Sequence, residues 1–352
     1  MFFQIGLIDS LYNSQCKPIE LMDADLIMVS TRHVSLSSLV SFSRRKLYQV
    51  LGIPGVKYVT PLRIARSKWL NPTDRKSYDI YIYGVNPAYP SLLVPELASA
   101  NDKLKQLRMA LFDRKSKSQY GDIESALARS GKVVTEIDGH QVDVIGTYSM
   151  GSTFAADANL IVSDSTFLYL IRDQKPEQIQ VGLIKLTPDA PPSKIQAVAQ
   201  SFSTSDVHIL TKAQFAATEL NYWKENSSVG YIFGLGVIVG FIVGAIIVYQ
   251  ILFGDVTNSL AQYATLKAMG YTSAFVVSIV IQQSAILALL GFIPGIILSL
   301  LLYNALAEAT GLAIAMTLQN AVLVLMLTFL MCVGSGIMAT KKLIKLDPAD
   351  IF

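Results

Sequence analysis

Charged side chains are almost absent from the C-terminal third of this 352-residue sequence. Residues 226–340 contain only Asp255, Lys267 and Glu308, whereas the whole chain has 29 Lys and Arg and 26 Asp and Glu residues. Long apolar stretches with so little charge are typical of membrane-spanning helices. The apolar share, 52% of residues, excludes a disordered chain. The net charge of +3 is too small to indicate an anionic partner such as nucleic acid.

Sequence motifs for catalysis and metal binding are also missing. The chain has no G-x-x-x-x-G-K-[ST] phosphate loop, no G-x-S-x-G nucleophile motif and no H-E-x-x-H zinc motif. Its three histidines, His33, His140 and His208, stand alone in the sequence. We therefore expect no catalytic, cofactor-binding or metal-binding residues in this chain. The two cysteines, Cys16 and Cys332, lie in different environments, which predicts that they form no disulfide.

Three apolar segments are long enough to span a membrane. They cover residues 229–253, 275–303 and 321–340, and about 20 residues of helix cross the hydrocarbon core. Pro294 interrupts the second segment and predicts a kink, because proline lacks the backbone N–H group. All three charged residues of this region fall in the predicted connections between spans. The absence of charge within the spans disfavours a proton-coupled transporter.

The charges that flank the spans predict the orientation of the chain. The tail 341–352 begins with three lysines within five residues, whereas the loop 304–320 has neither Lys nor Arg. The positive-inside rule places this tail in the cytoplasm. The connection 254–273 is then also cytoplasmic, and residues 15–225 form a large extracytoplasmic domain.

The first residues are apolar but too few to cross a membrane. Residues 1–14 lack the basic start of a signal peptide. We interpret them as the remnant of a first transmembrane helix that begins upstream, as a mis-assigned start codon would produce. The alternative is a three-span protein whose N-terminus is translocated.

The sequence of the large domain predicts an α+β fold. Short β-branched and aromatic runs alternate with helical patterns, and Asp138-Gly139 predicts a hairpin turn. Tyr78, Ile80 and Ile82 alternate with polar neighbours, which predicts a half-buried strand. The predicted strands are 25–30, 56–65, 78–85, 133–137, 141–147, 159–162, 181–186 and 207–210, and the predicted helices are 41–51, 192–202 and 211–225. The segment 181–210 therefore predicts a strand–helix–strand unit.

Glycines recur every fourth residue in the first apolar segment, at Gly236, Gly240 and Gly244. Small residues at this spacing let two helices approach closely. The contact is either one that moves or dimerises, or ordinary packing within the chain.

The connection 254–273 predicts a short amphipathic helix. Thr257 or Asn258 can cap its start, and Gly270 can end it. One side of this helix is covered by Leu260, Tyr263, Ala264, Lys267 and Met269. Such a helix docks into a partner or lies on the membrane, or it is an ordinary connector.

Two groups of side chains in the large domain have open interpretations. The basic residues either face a partner protein or lipid headgroups, or form a solvated surface: Arg44, Arg45, Lys46, Arg63, Arg66 and Lys68. The tyrosines Tyr78, Tyr81 and Tyr83 are interpreted as sheet packing rather than as a ligand platform.

Two motifs resemble a known family. The stretch YATLKAMGY, residues 263–271, resembles the E-x-A-x-L-K-A-x-G signature of FtsX/MacB-type permeases of ATP-binding-cassette systems, although Gln262 stands where glutamate is common. The ending DPADIF, residues 347–352, is similar to the D-P-A-E terminus of that family. The stretches SFSRRKLYQ, GVKYVTPL and WLNP, at 41–49, 55–62 and 69–72, look like the cyanobacterial DevC branch.

The resemblance implies a fold and a set of partners. It implies four transmembrane helices with a MacB-like periplasmic α+β domain, in a multi-pass protein of the inner membrane. It further implies a homodimer that associates with a separate ATPase, which binds and hydrolyses ATP-Mg, so that this chain is a non-catalytic subunit without its own cofactor. The other implied partners are a periplasmic adaptor (membrane fusion) protein, a TolC-like outer-membrane channel and membrane lipid.

The resemblance also implies a mechanism. The loop helix transmits ATPase motion through Gln262, Tyr263, Leu266, Lys267, Ala268, Met269 and Gly270. That motion drives export of a lipid-like substrate, which in the DevC branch is a glycolipid. The alternative is an FtsX-like membrane regulator that controls an extracytoplasmic enzyme and transports nothing.

Overall fold

The chain folds as two units, each with its own packing. The computed structural model describes residues 2–153, 155–202, 206–310 and 316–344. The larger unit is Leu11–Ser227 together with Thr310, and the other comprises the described parts of 1–10, 228–309 and 313–344.

The described elements up to residue 226 are a mixture of strands and helices, and those after it are helices. The strands are β1 (Leu26–Ser30), β2 (Phe42–Ser43), β3 (Val56–Leu70), β4 (Ser77–Val85), β5 (Met109–Asp113), β6 (Val133–Ile137), β7 (His140–Tyr148), β8 (Asn159–Ser163), β9 (Gln178–Ile179), β10 (Val181–Leu186) and β11 (Val207–Thr211). The helices are α1 (Phe2–Glu20), α2 (Arg44–Val50), α3 (Pro95–Leu104), α4 (Ile123–Ser130), α5 (Asp164–Leu170), α6 (Pro192–Phe202), α7 (Lys212–Asn226), α8 (Ser228–Asn258), α9 (Leu260–Ala268), α10 (Ser273–Thr310) and α11 (Leu318–Ile344).

One large sheet organises the first unit. Across the described residues its strand order is β11-β1-β10-β3-β4-β8-β5-β7-β6, and β2 pairs with β9 beside it. The long strand β3 belongs to both halves of the sheet, because it pairs with β10 at one end and β4 at the other. The prediction of an α+β domain is therefore confirmed.

The first half of the sheet consists of two strand–helix–strand units. In β1-α2-β3 and β10-α6-β11, the two strands of each unit run parallel with a strand of the other unit between them. This is the split β-α-β-β-α-β arrangement. Its helices cover one face, where Leu47 of α2 and Ile195 and Ala199 of α6 join a buried apolar cluster. The unit predicted for 181–210 is thus present, with β1 inserted between its strands.

The second half of the sheet closes on itself. Trp69 and Leu70 of β3 pair with Ile137 and Glu136 of β6, so six strands form a ring from β3 through β6. Its apolar cluster is fully buried at Trp69, Ile80 and Ile82. Helices α4 and α5 contribute Ile123 and Phe167 to the same cluster.

Strand β4 differs from the half-buried strand that its alternation predicts. Ile80 and Ile82 lie in the cluster inside the ring, while Tyr81, Tyr83 and Val85 lie in the second cluster on the opposite face. The second cluster also contains Ile19 of α1, Leu97 of α3 and Phe215 of α7. Tyrosine is amphipathic enough to alternate like a polar residue in sequence while its ring is buried.

The hairpin turn predicted at Asp138-Gly139 is present in the structure. Asp138 and Gly139 have φ angles of 46° and 76°, and they join β6 to β7 with Ile137 opposite His140. Positive φ at both central residues is typical of the hairpin turn that Asp-Gly favours.

The predicted helix 41–51 is shorter in the structure: its first residues form β2, and α2 begins at Arg44.

Three helices of the described chain are long and apolar enough to cross a membrane: α8, α10 and α11. The prediction of three apolar helices is confirmed, whereas the first of four spans stays a prediction. Helix α10 continues through Pro294 rather than being interrupted there. The expectation that Asp255 and Glu308 fall in loops is wrong, because α8 extends to Asn258 and α10 to Thr310.

Candidate functional site

The candidate site is the corner formed by α9 between the apolar helices α8 and α10. Ser259, rather than Thr257 or Asn258, occupies the position before α9, and its side chain makes no cap hydrogen bond. Thr257 lies inside α8, where its hydroxyl donates to the Phe253 carbonyl at 2.7 Å. Sequence reasoning placed the cap too early because polar residues in the last turn of α8 were taken as the start of the next helix.

The end of α9 has the geometry that its glycine predicts. Gly270 has a φ of +93°, a conformation that side chains with a Cβ rarely adopt. The Tyr271 N–H group donates to the Leu266 carbonyl at 3.1 Å, and the Met269 N–H group donates to the Thr265 carbonyl at 3.0 Å. These bonds satisfy carbonyl groups at the helix end and redirect the chain toward α10.

One side of α9 packs against both neighbouring helices. Val256 of α8 and Val276 and Val280 of α10 form a buried apolar cluster, against which Leu260 and Tyr263 pack. Ala264, on the same side of α9, is completely buried. Burial raises the pKa of the Tyr263 hydroxyl, and the Asp255 carboxylate adds to the effect. This side of α9 therefore packs against both α8 and α10.

The other side of α9 faces solvent. Gln262, Ala268, Met269 and Gly270 are exposed, and Met269 retains 63% of its accessible surface. The sequence prediction placed Met269 on the same side as Tyr263, which is wrong, because Met269 follows the last residue of α9. Leu266 and Lys267 are half-buried between the two sides.

Aromatic and apolar side chains extend the exposed surface toward α10. The rings of Tyr271 and Phe275 stack with centroids 4.7 Å apart, and both residues are nearly half exposed. Together with Met269 they form an apolar patch at the corner. Sequence reasoning missed Phe275 because it lies in the first turn of an apolar helix, where one more apolar residue carries no signal.

A polar contact between α8 and α10 adjoins the corner. The Gln283 amide of α10 donates to the Asp255 carboxylate of α8 at 3.3 Å. Sequence reasoning missed this contact because it placed Asp255 in a loop rather than in α8. Polar contacts of this kind stabilise helix pairs in membranes.

The three predicted packing glycines have different surroundings. A Cβ added at Gly244 would lie 2.8 Å from Met331 Sδ of α11, and one added at Gly236 would collide with Gln4 Nε2 of α1. One added at Gly240 meets no described atom within 4 Å. Two of the glycines therefore serve packing within the chain.

The basic residues of the large unit do not form one surface. Arg63 is completely buried and hydrogen-bonded, so for this residue both interpretations, a surface that faces a partner or lipid and a solvated surface, are wrong. Arg66 and Lys68 both pair with Asp79, at 2.5 and 2.6 Å. Arg44 lies over the ring of Tyr48, 5.1 Å from its centroid.

The described residues contain no group of three His, Cys, Asp or Glu side chains that could hold a metal ion. Cys16 and Cys332 are free and buried, and burial raises the pKa of the Cys16 thiol to about 11. A thiol with so high a pKa is a poor nucleophile at neutral pH.

The comparison with protein families concerns the region around the α9 corner. Residues 233–348 match the family described as FtsX-like permease C-terminal, which is about one third of the chain. This region contains most of α8 and all of α9, α10 and α11. The C-terminal region is therefore similar to the C-terminal domain of FtsX-like permeases. No curated protein matches the chain in a sequence comparison.

Two solved structures align with part of the chain at low identity. The periplasmic region of MacB from Actinobacillus actinomycetemcomitans aligns at a TM-score of 0.39 and 16% identity, over 56% of this chain and 93% of that one. The extracellular domain of the noncanonic ABC-type transporter YknZ from Gram-positive bacteria aligns at 0.36 and 14%, over 53% of this chain and 99% of that one. The likeness of the C-terminal region to FtsX-like permeases rests on the sequence match.

Proposed function

We propose that this chain is the permease subunit of an ATP-driven export complex in the inner membrane. The observation that carries the proposal is the FtsX-like permease match over 233–348, which includes the exposed α9 corner. In this proposal two copies of the chain associate with a separate ATPase. The chain itself is not an enzyme and holds no cofactor, because ATP-Mg binds to the partner.

The composition of the spans supports an external source of energy. The segments 229–253, 275–303 and 321–340 contain no charged residue, and the sequence contains no phosphate loop. Ionisable residues inside membrane segments mark ion and proton pathways. In α8 and α10 the only charged residues are Asp255 and Glu308, both near the C-terminal ends of these helices, which favours work driven by the motion of a partner.

The packing of α9 supports its role as the element that receives this motion. A force applied to the exposed side, at Gln262, Ala268 or Met269, passes through Tyr263 to the apolar cluster shared by α8 and α10. Close-packed side chains transmit displacement because they have little room to yield. Helix α8 follows α7 after the single residue Ser227, so its motion continues along the chain toward the larger unit.

The larger unit is proposed to lie in the periplasm and to contact an adaptor protein that leads to a TolC-like channel. The support is the orientation predicted from the lysines of the tail, together with the resemblance of residues 41–72 to the DevC branch. That resemblance also supports a lipid-like cargo such as a glycolipid.

Replacing Met269 with Asp tests the docking of the ATPase. The substitution places a charge on the exposed apolar patch, and we expect recovery of the ATPase with the purified chain to fall at least tenfold. Leu107→Asp is the matched control, because Leu107 is 50% exposed in the larger unit and far along the chain from α9. Unchanged recovery with Met269→Asp would overturn the coupling role of α9.

Mass spectrometry of the material purified from native membranes distinguishes the export complex from its alternative. Recovery of an ATPase together with a periplasmic adaptor supports the exporter. Recovery of an ATPase without an adaptor supports a membrane regulator of the FtsX kind. If neither is recovered, the proposed function is wrong.

A further inference from the structure

Strand β11 lies at the end of the large sheet. Among the described strands it pairs only with β1, from Leu26 opposite Thr211 to Ser30 opposite Val207. The opposite end of the strand order has no such edge, because β6 pairs with β3 as well as β7. An end strand presents backbone N–H and C=O groups that a strand from another molecule can bind.

Two glutamines of α6 form hydrogen bonds with backbone groups on the outer edge of β11. The Gln200 side-chain oxygen accepts from the Ile209 N–H group at 2.8 Å, and its amide nitrogen donates to the Val207 carbonyl at 3.0 Å. The Gln196 amide donates to the Ile209 carbonyl at 2.8 Å. One carboxamide thus supplies both the acceptor and the donor that a neighbouring strand would supply.

The positions of these glutamines are fixed by their surroundings. Gln196 and Gln200 lie one helical turn apart, so they share a side of α6. Ile195 and Ala199, their neighbours in sequence, are buried in the apolar cluster beneath the sheet. The Gln196 amide also donates to the side chain of Gln214 at 2.8 Å, and Gln214 belongs to the capping box of α7.

The sequence of β11 offers no other protection for this edge. Edge strands are commonly protected by proline, by lysine or by inward-pointing charges. The five residues of β11 read VHILT and contain none of these. Its apolar and β-branched residues favour strand pairing.

We propose that Gln196 and Gln200 keep the β11 edge closed against pairing with the β11 edge of a second copy of this chain. A second copy is the partner that fits, because antiparallel pairing of a strand with itself about a two-fold axis is self-complementary. Each copy then offers the Val207 and Ile209 groups that the other one needs. In the structure, the Val207 carbonyl and the N–H and carbonyl groups of Ile209 are already hydrogen-bonded to Gln196 and Gln200.

A cysteine reporter on β11 tests the proposal in the full-length protein. His208 is exposed, and the native Cys16 and Cys332 are buried, so His208→Cys introduces the accessible thiol. We expect a short thiol-specific cross-linker to join two copies at least fivefold more in a Gln196→Ala, Gln200→Ala background than with the glutamines present. Gln106→Ala, at an exposed position outside α6, is the matched control.

Hydrogen exchange at Ile209 reports whether the edge itself has opened. Loss of the hydrogen bond between the Ile209 N–H group and Gln200 should increase the rate of amide exchange about fivefold. Gln200→Glu is the milder variant, because its carboxylate still accepts from the Ile209 N–H group but no longer donates to the Val207 carbonyl. We expect its cross-linking to fall between wild type and the double variant.

The two measurements together decide the proposal. Faster exchange at Ile209 together with more cross-linking in the double variant supports it. Faster exchange with unchanged cross-linking would show that the glutamines stabilise β11 but do not prevent its pairing with a second copy. Unchanged exchange would show that they do not cover the edge, and either of these results overturns the proposal.

Discussion

Two buried charged side chains of the larger unit, Glu219 and Arg63, hold separate segments together through their hydrogen bonds. Glu219 accepts from the Leu36 N–H group and from the Trp223 indole, each at 2.8 Å, and burial raises the pKa of its carboxyl group. A buried carboxylate with both oxygens hydrogen-bonded stabilises the loop that it contacts. Glu219 therefore ties the segment after β1 to α7.

Arg63 is the clearest case, and we expect its removal to be strongly destabilising. Its guanidinium donates to Asp164 at 2.5 Å and to the carbonyls of Pro176 at 2.8 Å, Lys175 at 3.3 Å and Gln178. Breaking a buried charge pair costs about 3–5 kcal/mol, so Arg63→Ala should lower the free energy of unfolding by that order. Chemical denaturation of the purified chain measures the change.

Arg66→Ala is the control for this prediction. Arg66 is 60% exposed and pairs with Asp79, and exposed pairs of this kind contribute about 0–1 kcal/mol. If the two substitutions cost the same, the partners of Arg63 do not stabilise the protein as the structure indicates.

His33 should make the larger unit sensitive to acid. Both of its ring nitrogens are shielded and have no partner among the described residues, and its ring lies 5.2 Å from that of Phe215. Burial lowers the pKa of His33 from 6.5 to about 4. Because the unfolded chain then binds the proton more tightly, stability is complete above pH 6.5 and is lost as the pH falls toward 4.

Thermal unfolding between pH 6.5 and 4 tests this expectation. A shift of this size corresponds to about 2–3 kcal/mol over the interval. His33→Phe keeps the ring contact but cannot bind a proton, so its unfolding temperature should fall less steeply with acid. Parallel curves for the two proteins would contradict the assignment.

At the scale of elements, the sequence predicted structure wherever one local rule decides it. Asp138-Gly139 specified a hairpin, and β10, α6 and β11 were recognised from their composition. The closing contact of the ring was not predictable, because Trp69 and Ile137 are brought together only by pairing between β3 and β6. Helices α3, α4 and α5 were missed because their short apolar patterns resemble those of loops and strands.

The candidate site was also predicted only in part, because its local features can be predicted from the sequence and its tertiary contacts cannot. Gly270 predicted the end of α9 correctly, because a positive φ angle at a helix end is a local feature that favours glycine. The orientation of Met269 was wrong because it depends on where the helix stops, and element boundaries are the least reliable feature of a sequence reading. The contact between Asp255 and Gln283 needed tertiary structure, since 27 residues separate the two.

The glycines of α8 give a prediction about helix packing. Gly244→Val should strain the contact with Met331 of α11 and cost about 1–3 kcal/mol, as overpacking does. Gly240→Val is the matched control, because no described atom lies within 4 Å of a Cβ there. Unfolding temperatures in detergent should therefore fall for Gly244→Val alone, and equal losses would contradict the packing seen between α8 and α11.

At the scale of the whole molecule, the two units expose different surfaces. The apolar helices leave large side chains uncovered, among them Leu290, Leu301 and Leu330, each more than 60% exposed. Patches of this extent are unfavourable in water and favourable in a bilayer. The larger unit instead carries most of the charged residues of the chain, which suits an aqueous compartment.

The orientation inferred from the lysines of the tail can be tested by labelling single cysteines. Asp102→Cys lies in the larger unit, where the Asp102 side chain is 93% exposed, and Gln262→Cys lies on the exposed side of α9. A membrane-impermeant maleimide added to intact spheroplasts should label position 102 and leave position 262 unlabelled until the membrane is permeabilised. The native cysteines are buried and should contribute little background. The reverse pattern would place α9 outside the cell, where no ATPase could reach it, and would exclude the proposed coupling.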